Sequence, residues 1–180
     1  MSKSFWTSRR LSKQLLQQKL EQLSQLQPER APRVAIVGIG NELNGDDGAG
    51  VWVTRKLQEV IGRVADSPVL IIDAGTAPEN VTGALRKFAP GLILLIDAAQ
   101  LNEPPGTIGW LDWRETTGVS AITHGLPLHV IAEYLVTEIG CEVALIGIQP
   151  QGNAFDTPLS PEVLLSVEEV VQGLRATLPF

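Results

Sequence analysis

The chain has 180 residues, of which 44% are hydrophobic, and it contains one cysteine, Cys141. This length suits one globular domain, and the hydrophobic fraction excludes an intrinsically disordered chain. A single cysteine cannot form an internal disulfide, so we expect a reducing compartment, the cytoplasm. The apolar runs fall far short of the roughly 20 residues that cross a bilayer, so we expect no membrane partner.

Charge is distributed unevenly along the chain. Residues 1–33 carry a net charge of +5, and the remainder carries −11. Phosphate backbones repel so acidic a domain, and we therefore expect no nucleic-acid partner. Cations and basic peptide segments are the partners that this charge favours.

The first 30 residues have the spacing of an amphipathic helix. Leu16, Leu20, Leu23 and Leu26 fall on one helical face, and prolines at 28 and 32 end the pattern. Such a helix either docks on the body, frays in solution or binds a partner. We therefore divide the chain into a helical extension and linker, residues 1–32, and an α/β domain, residues 33–180.

From residue 33 onward, short apolar runs alternate with helical patterns. Residues 34–39, 69–72, 92–96 and 143–148 are apolar almost throughout, which is typical of strands buried on both faces of a parallel sheet. Residues 107–113, after a Pro-Pro-Gly turn, are predicted as an extra edge strand. The alternation predicts a single-domain α/β fold with helices on both faces of the sheet.

Each predicted helix has one apolar face. The predicted buried faces are Val53, Leu57, Val60 and Ile61; Ala84, Leu85 and Phe88; Leu128, Ile131, Leu135 and Ile139; and Leu164, Val167, Val171, Leu174 and Leu178. Ser160 followed by Pro161 is a typical start of the last helix. Thr76 and Glu79 have the spacing of a capping box for the second.

Acidic residues follow three of the predicted strands. Asp46 and Asp47 come after the first strand, Asp73 ends the second and Asp97 ends the third. A single aspartate in such a place is more often a turn or cap residue than a ligand. Several acids at one edge of a sheet, however, repel one another unless a cation, a proton or a basic partner compensates them.

A histidine is predicted at the same edge. His124 lies in the loop 120–126, just before the next helix. Two carboxylates and an imidazole suit an open site for zinc, nickel, manganese or iron, with positions left for water or substrate. The acids and His124 together therefore predict a transition-metal site where ligands bind in such folds, outside the carboxyl ends of the strands.

Two other kinds of site fit the sequence less well. The glycine loop after the first strand begins like a dinucleotide fingerprint, but Leu43 takes the third glycine position and two acids stand where a pyrophosphate would bind. There is no G-x-S-x-G nucleophile elbow. Cys141 is predicted as a small buried hydrophobe, and His129 as structural or exposed.

Several motifs in order carry a resemblance to a known family. They are GNELNGDDGAG, IIDAGTAPEN, LIDA, THGLPL and LIGIQP, within about residues 33 to 175. In these motifs the chain resembles the nickel-iron hydrogenase maturation endopeptidases, particularly the branch serving formate-hydrogenlyase-type hydrogenases. Ordered motifs over this length are more specific than one glycine-rich loop. The first 30 residues fall outside the family pattern.

The resemblance implies a twisted, mostly parallel five-stranded sheet and assigns the metal-binding and catalytic roles to Asp47, Asp97 and His124. Proteins of this family remove a C-terminal extension from the hydrogenase large-subunit precursor after nickel insertion. We therefore expect a metal-dependent processing endopeptidase whose partner is that precursor. Nickel is expected to arrive with the substrate, and zinc or cadmium could replace it in a crystal.

The resemblance also indicates substrate contacts. Asp73 takes the position of a family acid linked to substrate selection, and we expect Gly40, Asn41 and Asp46 of the glycine loop to lie at the precursor with it. For Asp46, a proton-handling role beside the metal and a plain loop-capping role remain open. The alternative function is a noncatalytic metal- or precursor-binding module with the same fold, and a nucleotide-binding protein is a third, weaker candidate.

Overall fold

The computed structural model describes residues 32–62, 66–115 and 127–180, together with residues 14, 17–22 and 25 of the N-terminal segment. The strands are β1 (Val34–Ile39), β2 (Val69–Gly75), β3 (Leu92–Ala98), β4 (Ile108–Leu111) and β5 (Glu142–Ile148). The helices are α1 (Ala49–Ile61), α2 (Thr82–Phe88), α3 (Leu128–Ile139) and α4 (Pro161–Arg175). Short 3-10 turns at Gly45–Gly48, Pro78–Val81 and Trp113–Glu115 connect them.

The five strands form one sheet in the order β2-β1-β3-β5-β4. β2, β1, β3 and β5 are parallel, and β4 pairs antiparallel with β5 at one edge. The predicted mostly parallel five-stranded sheet and the extra edge strand are therefore confirmed. Between β1 and β3 the connections leave in opposite directions, which makes this pair the topological switch point where open α/β sheets bind ligands.

Alternate residues of β1 enter two different cores. Val34 and Ile36 pack in the core that α1 and α4 cover, whereas Ala35, Val37 and Ile39 pack in the core that α2 and α3 cover. Side chains of a strand point alternately to the two faces, so a strand buried on both faces is apolar throughout. The prediction of helices on both faces of the sheet is confirmed.

One predicted strand differs from the expectation. β2 was expected to be buried on both faces, but only Val69 is buried and the following residues to Gly75 are half-buried, because β2 is an edge strand. β2 continues past the apolar run 69–72 to Gly75 and includes Asp73, as expected. An apolar run predicts a strand but not its place in the sheet.

Several helix predictions were wrong in detail. Leu164 and Val60 are 39% and 51% exposed, and Ala84 is exposed as well. In the last predicted face, Val167, Val171, Leu174 and Leu178 are buried as predicted, but Val163 rather than Leu164 is buried at its start. The predicted capping box is absent: the 3-10 turn before α2 has Ala77 as its N-cap residue and makes no side-chain cap hydrogen bond.

Little of the N-terminal extension is described. The described residues 14, 17–22 and 25 are helical, Leu20 packs against the core of α1 and α4, and Lys19 Nζ lies 3.0 Å from Glu142 Oε2. The rest of the predicted helix lies outside the described residues, and the division at residue 32 stays a prediction. No helix of the described part is long and apolar enough to cross a membrane.

Candidate active site

The glycine loop after β1 lies directly against the end of β3. A Cβ on Gly50 would lie 2.0 Å from the carbonyl oxygen of Ile96 and 2.4 Å from that of Ile39, so only glycine permits this approach of α1 to the two strands. The 3-10 turn that carries Asp47 ends just before α1 and packs on β3. Asp47 and Asp97 are therefore held at the same switch point.

Asp47 is fully buried, with 0% of its surface exposed. The backbone N–H of Asn41 donates to its Oδ2 at 2.9 Å. Gly40, in the left-handed region with φ of 137°, brings the chain back over the turn, where a Cβ would lie 1.9 Å from the carbonyl oxygen of Asp47. The loop thus wraps around the Asp47 backbone and fixes its carboxylate at the edge of the sheet.

Asp97 is the second buried carboxylate at this place. It is 2% exposed, and its Oδ1 accepts a hydrogen bond from the backbone N–H of Ala98 at 2.8 Å. A buried ionised carboxylate is costly unless it is hydrogen-bonded, paired or bound to a metal. Two such groups on adjacent strand ends are an arrangement suited to a cation.

Asp46, the neighbour of Asp47, has a different environment. Its side chain is 2% exposed and accepts hydrogen bonds from four donors of the β5–α4 connection. These donors are the backbone N–H groups of Gln151, Gly152 and Ser160 and the hydroxyl of Ser160, at 2.6 to 3.2 Å. The contacts favour the loop-capping interpretation of Asp46 over the proton-handling one, and its predicted contact with a substrate stays a prediction.

Ser160 has an unusual partner for an N-cap residue. It is the N-cap of α4 and Pro161 follows at the first position, as predicted, but its hydroxyl makes no cap hydrogen bond to the helix. It donates instead to Asp46 Oδ2 at 2.9 Å. In the folded chain, the Ser160 hydroxyl therefore holds the glycine loop through Asp46 instead of capping α4.

Asp73 is paired with a base that the sequence did not single out. Arg55 Nε lies 2.9 Å from Asp73 Oδ2, and Arg55 Nη1 also binds Glu42 of the glycine loop. The hydrogen bond to Glu42 raises the pKa of the Arg55 guanidinium, with Asp73 contributing in the same direction. Of the three predicted ways to compensate these acids, a cation, a proton or a basic partner, the structure shows a basic partner for Asp73.

The structure describes two of the remaining predicted site residues, Gly40 and Asn41, but not His124. His124 lies outside the described residues, and among those that are described no group of three His, Cys, Asp or Glu side chains could hold a metal ion. Gly40 donates its N–H to Gly75 O at 2.9 Å, and Asn41 Oδ1 accepts from Leu43 N at 3.1 Å. The metal-binding, catalytic and substrate-binding assignments stay predictions.

Two further side chains lie away from this place. Cys141 is 7% exposed at the start of β5, the opposite end of the sheet, and burial raises the pKa of its thiol to about 11. The prediction that Cys141 is a small buried hydrophobe is confirmed. His129 is half-buried on the first turn of α3.

Comparison with known proteins identifies the family of this chain. The family model for the HycI hydrogenase maturation proteases matches residues 51–176, a range that includes Asp73 and Asp97. A putative hydrogenase maturation protease of Methanocaldococcus jannaschii is 37% identical over 146 residues, covering 79% of this chain and 86% of that protein. The hydrogenase 3 maturation protease of Escherichia coli K12 is 34% identical, covering 76% and 85%.

Solved structures show the same fold. The crystal structure of a nickel-iron hydrogenase maturation protease HycI from Thermococcus kodakarensis superimposes with a TM-score of 0.72 at 33% identity, covering 81% of this chain and 92% of that one. The solution structure of an endopeptidase HycI from Escherichia coli gives a TM-score of 0.67 at 33% identity, covering 77% and 86%. The resemblance predicted from the motifs is confirmed, and the chain belongs to the HycI family of hydrogenase maturation proteases, which are hydrolases.

Proposed function

We propose that this chain removes the C-terminal extension of a nickel-iron hydrogenase large-subunit precursor after nickel has been inserted. Membership of the maturation protease family supports the reaction class. The observation that carries the residue assignment is the burial of Asp47 and Asp97 at the β1/β3 switch point, on adjacent strand ends. An acidic body also suits a substrate that brings a cation.

The donor chemistry fits nickel that belongs to the precursor. Asp47 and Asp97 supply carboxylate oxygens, and His124 is proposed to supply an imidazole nitrogen, a set that first-row transition metals accept. A bound metal ion polarises a carbonyl or lowers the pKa of a bound water. In this chain the buried carboxylates would hold the metal-bearing segment of the precursor, so that the scissile peptide lies at the edge of the sheet.

Precursor recognition is assigned to the side chains around these acids. Asp73, on the half-buried edge strand β2, is proposed to contact the precursor together with Asn41, which is partly exposed and donates to Asp47. Asp46 would act through the loop it holds, because donors of the β5–α4 connection occupy both of its oxygens. With one cysteine and no disulfide, the chain suits a cytoplasmic reaction.

The test is cleavage of a precursor in two metal states. Wild-type enzyme should shorten nickel-loaded precursor at its C-terminus, seen by mass spectrometry, and should leave metal-free precursor intact. Asp47→Asn and His124→Ala should both stop cleavage while keeping the wild-type melting temperature. Asp112→Asn, which removes an exposed acid after β4, is the matched control and should cleave normally.

Two outcomes would count against the proposal. Full cleavage by both Asp47→Asn and His124→Ala would refute the metal assignment. Binding of the nickel-loaded precursor without any change in its mass would support the noncatalytic binding module instead.

A further inference from the structure

The ion-pair network of Arg55 joins two segments that carry acids of the proposed site. Asp47 lies in the glycine loop after β1, whereas Asp73 lies at the end of the edge strand β2. Arg55, on α1, binds Asp73 through Nε at 2.9 Å and Glu42 of the glycine loop through Nη1. One guanidinium thus bridges the loop that carries Asp47 and the strand that carries Asp73.

Glu42, which binds Arg55, lies next to residues that contact Asp47 and Gly48. The preceding residue, Asn41, donates its N–H to Asp47 Oδ2 at 2.9 Å. On the other side of the loop, a Cβ on Gly48 would lie 2.8 Å from the Cα of Glu42, so the Glu42 backbone packs closely on the residue after Asp47. A shift of Glu42 would therefore move the surroundings of the Asp47 carboxylate.

The helix that carries Arg55 is packed firmly against the sheet. Its neighbours Thr54 and Leu57 are fully buried, and the Thr54 hydroxyl donates to the carbonyl oxygen of Val51 at 2.9 Å. α1 packs across β1, β2 and β3. The planar guanidinium binds carboxylates in a defined orientation, so a bridge from this helix fixes direction as well as distance.

The exposure of the network argues against a purely stabilising role. The side chains of Arg55, Glu42 and Asp73 are 39%, 40% and 27% exposed, and solvent screens ion pairs of this kind strongly. Such pairs contribute little to whether a chain folds. The ion pairs can still orient the groups that they join. Small displacements of groups that act on a substrate affect reaction rates strongly.

We propose that Arg55 is a positioning residue of the processing reaction, which holds Asp73 and the Asp47 loop in register through Glu42. This inference rests on the function proposed above. It assigns a role to a residue that neither the strand-end acids nor the family motifs indicated. The role is relayed, since Arg55 acts through Asp73 and Glu42 rather than on the scissile peptide.

The neighbouring residue on α1 provides a matched control. Lys56 forms an ion pair with Glu168 of α4, with Nζ 3.3 Å from Oε1, and its side chain is 29% exposed. Lys56→Ala therefore breaks a similar ion pair on the same helix, but this pair joins α1 to α4 and does not involve the acids of the proposed site. Loss of activity in Arg55→Ala but not in Lys56→Ala separates positioning from helix stability.

The experiment measures kcat and KM on nickel-loaded precursor, together with melting temperature. Arg55→Ala and Asp73→Ala should each lower kcat/KM about tenfold, and the double variant should be no worse than the poorer single one, because the pair acts as a unit. Arg55→Lys should recover only part of the loss, since a point charge cannot orient both carboxylates. Melting temperatures should stay within about 4 °C of the wild type.

The possible contrary results are distinct. Three results would overturn the positioning role of Arg55 without affecting the proposed function. They are a wild-type kcat/KM in Arg55→Ala, an equal loss of kcat/KM in Lys56→Ala, and a double variant whose loss is the product of the two single losses. A wild-type enzyme that fails to cut the precursor would overturn the proposed function and this inference with it.

Discussion

The two ends of the parallel sheet differ in the polar groups that they bury. At the carboxyl end, Asp46, Asp47 and Asp97 are each at most 2% exposed, and they are the buried acids of the described chain. At the amino end, the thiol of Cys141 is buried, while the Lys19–Glu142 ion pair stays in solvent. Burying a carboxylate is costly unless it is hydrogen-bonded, paired or bound to a cation, so the buried acids at one end of the sheet need such partners and the exposed ion pair at the other end does not.

Within the carboxyl end, adjacent residues differ as well. The two oxygens of Asp46 accept four hydrogen bonds from the β5–α4 connection, which is what a structural carboxylate requires. Asp47 accepts a hydrogen bond from Asn41 within its own loop and lies beside β3. Burial alone therefore does not distinguish these two acids. Asp46 accepts its hydrogen bonds from a connection that is distant in sequence, whereas Asp47 accepts a hydrogen bond from its own loop.

The largest expected effect is at the acids that we propose as metal ligands. Asp97→Asn keeps the shape of the side chain but removes its charge, so cleavage of the precursor should fall at least about a hundredfold, since even partners of metal ligands cost about 10- to 100-fold. The melting temperature should change little. Steady-state cleavage assays with the exposed-site variant Asp112→Asn as control measure this; near-normal cleavage by Asp97→Asn would remove Asp97 from the site.

Asp46 should behave in the opposite way. Asp46→Ala removes the acceptor of four partly exposed hydrogen bonds from the β5–α4 connection, so the free energy of unfolding should fall by about 3–5 kcal/mol. Urea denaturation followed by circular dichroism measures this quantity. Asn153→Ala, at an exposed position of the same connection, should change it by less than about 0.5 kcal/mol; similar losses in both variants would contradict the structural role of Asp46.

At the amino end, Cys141 should affect only the pH dependence of stability. Burial raises the pKa of its thiol from about 9 to about 11, so above pH 9 the unfolded chain loses this proton while the folded chain keeps it. Stability should therefore fall between about pH 9 and 11, by up to about 3 kcal/mol from this group. Denaturation of wild type and Cys141→Ala across this range isolates the contribution, and parallel curves would disprove it.

The smallest expected effect is at Ser160. Ser160→Ala removes one of the donors to Asp46 and should lower the free energy of unfolding by about 1–2 kcal/mol. Because the hydroxyl binds Asp46 and not the helix, this cost should nearly disappear in an Asp46→Ala background. Additive costs in a double-mutant cycle would show instead that Ser160 stabilises α4 by itself.

Local sequence patterns predicted the strands and helices well, but they predicted helix starts and buried helix positions poorly. The strand cores of β1, β3 and β5 were correct because a strand buried on both faces has a distinctive apolar run. The predicted capping box at Thr76 and the predicted burial of Leu164 failed, since a 3-10 turn precedes α2 and α4 presents Val163 to the core. Element boundaries and helix rotation depend on packing partners that are distant in sequence.

Arg55 illustrates what sequence reasoning missed at the site. It is separated from Glu42 by 13 residues and from Asp73 by 18, and nothing in its local pattern distinguishes it from the neighbouring Lys56. Its significance comes from the place where α1 crosses the sheet. A compensating base near the predicted acids could have been sought among the residues of the helix that follows the glycine loop.

By itself, the sequence determined that this is a single-domain α/β protein with acids at the strand ends and the motifs of the maturation proteases, because apolar periodicity and ordered motifs are local properties. Tertiary structure alone decided the strand order that brings the ends of β1 and β3 together. It also decided that Asp46 supports a loop while Asp47 lies beside β3, and that Arg55 joins β2 to that loop. These are contacts between distant segments, and only the packing of the chain brings such segments together.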